Sequence, residues 1–520
     1  MPTLVATYQL YVDWNGDLDS NVISGLAFGE GEDISADWIA IDIDRGFNSP
    51  LARFPKVGRM TVLLKNAAKT YSPAETEAAR PRREVGLTMT YGASTVTLFR
   101  GWIESIRPAS GTKRSRQAVM ECVDAVALLD TYEGDVALAT NTRAGALISS
   151  VVNAVYTPPA ESYATGINLY PISGDRWSGP LLMWSSMQGG SGSAPLQRIS
   201  ASGKIEDAAR SDWGRFYVDK SGFPTYIDRH QMPFDSTTAL TLDDDMVGLD
   251  YEMGVSEIYN VIEVTCYPRS LGTTYEVLSK LDQSKAPMIE DGGTLALDLR
   301  FRDPSNNAVT MGGRSVITPV AGTDYTCTTD EAGETADISA NVSCDAVIYG
   351  DHAVITLTAP TPAPVTYVQS LRIRGLAVRS LEPITVIAED ATSQAAYQVR
   401  RLRIDAALMS SQADAQSLAN YLLSYYKDPR HDIRGVEIFA NANATLMAAV
   451  RDLELCDKVV LTESQTGLSA QAGFIYALHH TIEPGRIHRL SFDLEQAYSY
   501  GADPLRWDAA TWDGTEVWVY

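Results

Sequence analysis

Residues 397–439 read as strand, capped helix, strand, and that succession admits few folds. Ala415, Leu418, Ala419, Leu422 and Tyr425 recur at i, i+3, i+4, i+7 and i+10, one apolar stripe of an amphipathic helix. Ser411 can accept from the free N–H groups of the first turn, and Asp414 places negative charge at the positive end of the helix dipole. Lys427 suits the opposite end, and Pro429 stops the helix because proline disfavours helical backbone in the residue before it. The spacing predicts a helix over 412–426. On its flanks Leu402 and Ile404 share one strand face, as do Val436 and Ile438. The expectation is a helix laid across a half-buried sheet that both strands join.

Length and charge narrow the classes. A chain of 520 residues is too long for one core, so about three or four domains are expected. Hydrophobic residues at 45% and charged residues at 21% fit a globular protein rather than a disordered one. With 42 Lys+Arg against 65 Asp+Glu the net charge is −23, which repels nucleic acid. Such a surface favours solubility, or a lumen through which DNA passes without sticking. The N-terminus lacks the basic region and apolar core of a signal peptide, and no apolar run approaches the ~20 residues of a membrane helix. Cys122, Cys266, Cys327, Cys344 and Cys456 are scattered, with no CxxC, so neither a zinc site nor a disulfide framework is indicated. Cys327 and Cys344 would pair only if oxidised; buried free thiols are expected.

In chain order, residues 1–130 alternate like a β domain. Ile39, Ile41 and Ile43 share one face, with Asp42 and Asp44 on the other. Asp13, Asn15, Asp17 and Asp19 stand at alternate positions, as in an oxygen-ligand calcium loop. The glycine there is fourth rather than sixth and no glutamate is twelfth, so an Asx-rich hairpin turn is the alternative. Residues 131–250 read as an α+β domain: a helix that Thr142 can cap, a Gly/Ser/Pro-rich loop over 156–196 with Trp177 and Trp184, and a helix from about Lys204 to Trp213. An aromatic hairpin with an Asp219-Lys-Ser-Gly222 turn follows.

A second β domain is expected from 251–267 and 386–498, interrupted by a small β-sandwich over 268–385. In that insert Leu295, Leu297, Leu299 and Phe301 alternate inward, as do Val354 and Ile355 and, less cleanly, Leu357, and 326–333 form a turn. Arg372, Arg374 and Arg379 form a basic row, either a solvated strand face or a nucleic-acid contact. Residues 499–520 form an arm carrying Trp507, Trp512, Trp518 and Tyr520, with no core of its own, and it is expected to dock on a partner. The fold class is mainly β with minor α (α+β).

Catalytic signatures are missing: no GxSxG, HExxH, Walker A or GxGxxG occurs. His479, His480 and His488 cluster, but adjacent strand residues point to opposite faces, so a shared metal site would need distortion. Asp243-Asp-Asp245 reads as a solvated turn, and nothing singles out a carboxylate pair. No catalysis and no cofactor are expected.

Several motifs resemble one family. Tyr397, Arg400 and Arg401, then Ala415, Leu418, Ala419, Tyr421, Leu422 and Leu423, then Pro429 and Arg430, form one such pattern. Arg45-Gly, Ser49-Pro-Leu-Ala, Gly58-Arg-Met-Thr-Val, Asn66 and Tyr71-Ser-Pro form a second, and Leu98-Phe-Arg-Gly-Trp-Ile-Glu before Glu121-Cys-Val-Asp-Ala-Val-Ala-Leu-Leu a third. Together they resemble the baseplate hub, tail-tip or minor tail proteins of long-tailed (siphovirus-type) bacteriophages. The resemblance implies two tail-tube-like β-barrels per chain, so a homotrimer presents six to a sixfold tube. It implies a structural virion protein at the tail tip, assembled in the host cytoplasm. Implied partners are the distal tail protein ring, the tape measure protein, and tip or fibre proteins, with transient passage of phage DNA during ejection. A receptor-binding or cell-wall-degrading tail protein is the competing class.

Overall fold

The computed structural model describes residues 4–14, 32–76, 79–109, 116–132, 138–155, 200–229, 232, 237–281, 286–362, 365–485 and 487–497, with short strands at 168–170, 181–183, 187–188 and 197–198. Half of the described residues are strand and 16% helix, so the protein is mainly β with minor α. The helices used below are α1 (Val126–Thr131), α2 (Ala144–Val155), α3 (Ala201–Asp212), α4 (Ala391–Tyr397), α5 (Gln412–Tyr426) and α6 (Ala444–Asp452).

A thirteen-stranded sheet holds the largest core. Its N-terminal half runs Trp38–Gly46, Arg59–Lys65, Gln117–Val123, Ser94–Pro108, Glu84–Tyr91, Thr7–Val12, Glu32–Asp33 in spatial order. Its C-terminal half runs Gly248–Glu252, Asp432–Phe439, Ile487–Gln496, Leu468–Glu483, with Lys458–Glu463 and then Thr238–Asp243 added beside the last of these. The halves join where 41–46 pair antiparallel with 477–482. The resemblance implies two barrels, and the backbone pairs the two β units into one continuous sheet. The reason is the length of Leu468–Glu483, which pairs with Lys458–Glu463 along one stretch and with Trp38–Gly46 along the next. A strand edge left unpaired is a liability, and here the other half takes it up.

Local departures have local causes. A register shift between Trp38 and Ala40 turns Trp38, Ile41 and Ile43 inward and leaves Ile39 half-buried. Gly46 has φ +124°, and a Cβ there would collide with the Tyr476 carbonyl across the seam between the halves.

The second core contains the expected helix, with a different partner. Ser411 Oγ accepts from Asp414 N at 3.2 Å, and Ala415, Leu418, Ala419, Leu422 and Tyr426 are buried. They cover a three-stranded sheet of Ile384–Glu389, Val261–Cys266 and Arg401–Ala406. The strand Asp432–Phe439, expected in that same sheet, belongs instead to the thirteen-stranded one. Val261–Cys266 likewise lies outside the sheet of 432–496, while Thr238–Asp243 and Gly248–Glu252, read with the helical domain, lie inside it. Strand pattern marks which face is buried and carries no address for the edge partner.

Helices α2 and α3 and the hairpin Arg215–Val218/Pro224–Ile227 complete the second core. Ser200, rather than a residue near Lys204, caps α3, accepting from Gly203 N at 3.2 Å. Thr142 does not cap α2; its hydroxyl donates to the Thr140 carbonyl at 3.2 Å within a short strand.

The third core lies wholly within residues 278–377. A sheet centred on Thr366–Ser380 faces one of Thr294–Arg300, His352–Thr358 and Ser343–Ile348. Ala353, Ile355 and Leu357 point inward, so Val354 sits on the other face from that expected. The first residues of the predicted 326–333 turn belong to the strand Tyr325–Thr328, and Asp330 then accepts from Glu334 N and Thr335 N at 2.9 Å each.

Candidate functional site: the charged joint between two cores

The end of α5 reaches from the second core to the first. Tyr425 and Tyr426 close the helix, and Pro429 and Arg430 turn the chain into Asp432–Phe439. Opposite them, Glu495 and Gln496 end the strand Ile487–Gln496. Arg215, from the hairpin, donates to Glu495 Oε2 and to the Pro50 carbonyl at 2.8 Å. Glu495 Oε1 also accepts from Tyr426 at 3.2 Å, and the Tyr425 hydroxyl lies 3.3 Å from it. Arg430 and Tyr425 both donate to the Gln496 carbonyl, at 2.9 and 2.7 Å, and the Arg430 guanidinium lies 3.9 Å from the Tyr425 ring centroid. Arg53 donates to the same Pro50 carbonyl at 2.9 Å and sits 4.3 Å over the Trp213 ring.

Burial alone would push the Glu495 carboxyl upward, but Arg215, Arg53 and Arg430 outweigh it and hold it below the usual carboxylate range. Burial and repulsion from Arg215 lower Arg53. An ionised glutamate among arginines and phenols is a poor general acid. The cavity beside it measures about 40 Å³, far below the roughly 300 Å³ at which small-molecule sites begin.

A second contact ties the same pieces together. Arg45 donates to Glu454 at 2.8 Å and to the Val218 carbonyl at 2.7 Å. The Lys220 ammonium donates to the carbonyls of Arg451, Asp452 and Leu453 at 2.9, 2.6 and 3.0 Å, closing the C-terminus of α6. Gly58, in the same motif as Arg45, leaves room for the Asp124 carboxylate, which a Cβ would strike.

Around this contact burial raises three carboxyls, Asp124 to about 7 and Asp219 and Asp457 to about 6. Raised carboxyls are candidate acids. Here each accepts backbone N–H groups instead: Asp124 from Val126, Asp219 from Ser221 and Phe223, Asp457 from Glu454. They hold turns.

The histidines resolve along the strand. His479 is exposed; His480 Nδ1 lies 3.0 Å from His488 Nε2, and His488 Nδ1 lies 2.9 Å from the Tyr8 hydroxyl. That chain joins the first strand to the last hairpin, and among the described residues no group of three metal-ligating side chains forms. The basic row is paired: Arg372 and Arg374 to Asp324, Arg379 to Glu276 and Asp303. A phosphate backbone would have to displace those carboxylates. Asp244 accepts from Ser464 N at 2.8 Å in a turn. The five cysteines are free.

Of the proposed cation loop only Asp13 is described, at the end of Thr7–Val12, where its backbone N–H donates to the Glu84 carbonyl at 3.0 Å. Asn15, Asp17 and Asp19 lie outside the described residues, as do Trp507, Trp512, Trp518, Tyr520, Trp177 and Trp184. Sequence reasoning missed Arg215, Glu495 and Lys220. Each is an ordinary polar residue in its own window, and only the buried position of its neighbours marks it. No helix among the described residues is long and apolar enough to cross a membrane.

No family model and no curated relative matches the chain. Solved structures similar to it include the tail protein from Neisseria meningitidis MC58, with 8% identity and a TM-score of 0.45 over 95% of this chain and 96% of that one. Another is the 43 kDa tail protein of prophage MuSo2 from Shewanella oneidensis, with 10% identity and a TM-score of 0.43 over 94% and 98%. A third is prophage tail protein gp18 from Listeria monocytogenes EGD-e, with 6% identity and a TM-score of 0.42 over 95% and 96%. Every one of these TM-scores is below 0.5, so the chain is similar to these three tail proteins loosely, along nearly its whole length.

Proposed function

We propose that this chain is a structural component of a phage tail, the hub at the tail's distal end. The observation that carries the reading is the pairing of 41–46 with 477–482, which builds two successive β units of one chain into a single wall. Three such chains offer six units in a ring, the number a sixfold tube requires. The Arg45-Gly, Gly58-Arg-Met and Arg100-Gly-Trp motifs, which resemble the hub family, lie in the strands of that wall or against it. The distal tail protein ring, the tape measure protein and tip or fibre proteins are the neighbours this role calls for. The net charge of −23 suits a lumen that DNA crosses without binding. The mechanism is interface burial and rigid-body opening, without bond chemistry.

Negative-stain class averages of the purified protein, with mass photometry over a concentration series, test this. Threefold rings with an open centre are expected. Elongated, fibre-like trimers would overturn the reading in favour of a receptor-binding protein, and clearing of purified peptidoglycan would do so in favour of a cell-wall hydrolase.

A further inference from the structure

Beside α6 the surface opens into a groove of about 790 Å³. Ala444, Thr445 and Ala448 of the helix form one wall, Ala239 and Thr241 the other, and the buried Leu240 and Leu453 the floor. Thr238–Asp243 pairs with Lys458–Glu463 along one edge, and no described strand lies along its other edge. Ala239, Thr241, Ala444 and Thr445 are exposed. An open strand edge supplies backbone donors and acceptors, and the small side chains opposite leave space for bulky ones.

The chain itself supplies an occupant. Ala497 donates to the Ala472 carbonyl at 2.8 Å, so the backbone leaves the sheet at a defined level. There Gln496 faces Gly473, Gly473 faces Val459, and Val459 faces Leu240. With strands about 4.8 Å apart, the position beyond Leu240 lies roughly 19 Å from Gln496. An extended chain covers that in about six residues, and residues 498–520 follow. Among them stands Thr515-Glu-Val-Trp-Val-Tyr520, a run of mostly β-branched and aromatic residues as long as the six residues of Thr238–Asp243.

We propose that residues 515–520 add as a strand to the open edge of Thr238–Asp243 in their own chain, with Trp518 seated over Ala444 and Ala448. The composition of the arm sends it to a neighbouring component, but this groove is within reach without one. The inference does not rest on the tail-hub reading.

Disulfide trapping tests it in the full-length chain, with the half-buried Cys344 changed to Ser. Thr241→Cys is combined with Val517→Cys or Val519→Cys and oxidised at low concentration. A reducible, fast-migrating monomer band is expected for at least one pair. No bridge in either pair, or a bridge only between copies, overturns the proposal, the second result giving the groove to another molecule's arm. In a separate variant Ala448→Trp fills the groove, and trypsin cleavage after Arg506 should quicken about tenfold while the circular dichroism is unchanged. Unaltered cleavage in a folded Ala448→Trp protein also overturns it.

Discussion

In the joint, Arg215 and Glu495 meet with 1% and 6% of their side chains exposed; in the insert, Arg379 meets Glu276 with 36% and 32% exposed. Both are arginine–carboxylate pairs with good contacts. They differ in what surrounds them. Water competes for both partners in the insert and salt screens them, whereas the joint has taken its charges out of water and left each dependent on the other. Charge in the insert therefore keeps a strand face soluble and aligned. Charge in the joint locks the end of α5, the hairpin Arg215–Val218/Pro224–Ile227 and the last strand of the large sheet into one arrangement.

The sharpest way to break that contrast is Glu495→Ala. It strands Arg215 without a counter-charge, and a loss of about 3–5 kcal/mol in urea unfolding is expected. A loss below about 1 kcal/mol would mean the joint is no more than a surface pair. The buried histidines provide the next largest effect. Burial pushes His488 down to about 3, and burial with His488 alongside pushes His480 well below its usual value. The unfolded chain binds these protons near pH 6.5 and the folded chain does not, so stability falls as pH drops below 6.5, by up to ~1.4 kcal/mol per unit for each histidine. Asp124, Asp219, Asp457 and Asp207, raised to about 7, 6, 6 and 6, and Glu257, also raised by burial, are protonated earlier in the folded chain and oppose that trend. Comparison with His488→Gln isolates the histidine: the gap between variant and native protein should narrow by up to about 2 kcal/mol from pH 7 to pH 5. A constant gap, read by thermal unfolding across that range, would remove His488 from the account.

Smaller effects sharpen the comparison from the other side. Ser411→Ala removes the α5 cap and should cost about 1 kcal/mol in chemical unfolding. Arg379→Ala in the insert should cost less than about 1 kcal/mol at low salt and almost nothing at 1 M salt, as denaturant curves at both would show. If Arg379→Ala matched Glu495→Ala, exposure would not be what separates the two clusters.

The sequence made the helix over 412–426 legible, because cap and stop are local, although Tyr426 rather than the expected Tyr425 is its last buried residue. It made residues 1–130 legible as β, and the strand at Ile39–Ile43 by its alternation, apart from the slip at Trp38 and Ala40 that turned Ile39 out of the core. It did not disclose that the strand before α5 and the strand after it enter different sheets. The joint was hidden likewise: Tyr425 and Pro429–Arg430 stood in view as stripe, stop and motif, while Arg215 and Glu495, 280 residues apart, gave no sign of meeting.

What this chain determined by itself was the strand and helix pattern of most segments, where its helix begins and stops, and a net charge of −23, all of them set by neighbours within a few residues or by composition. Only the tertiary structure decided which edge pairs with which, that two β units share one sheet, and which few charges are carried out of water. Edge pairing uses backbone groups that every residue shares, and the weight of a charge depends on the dielectric around it, which no stretch of sequence contains.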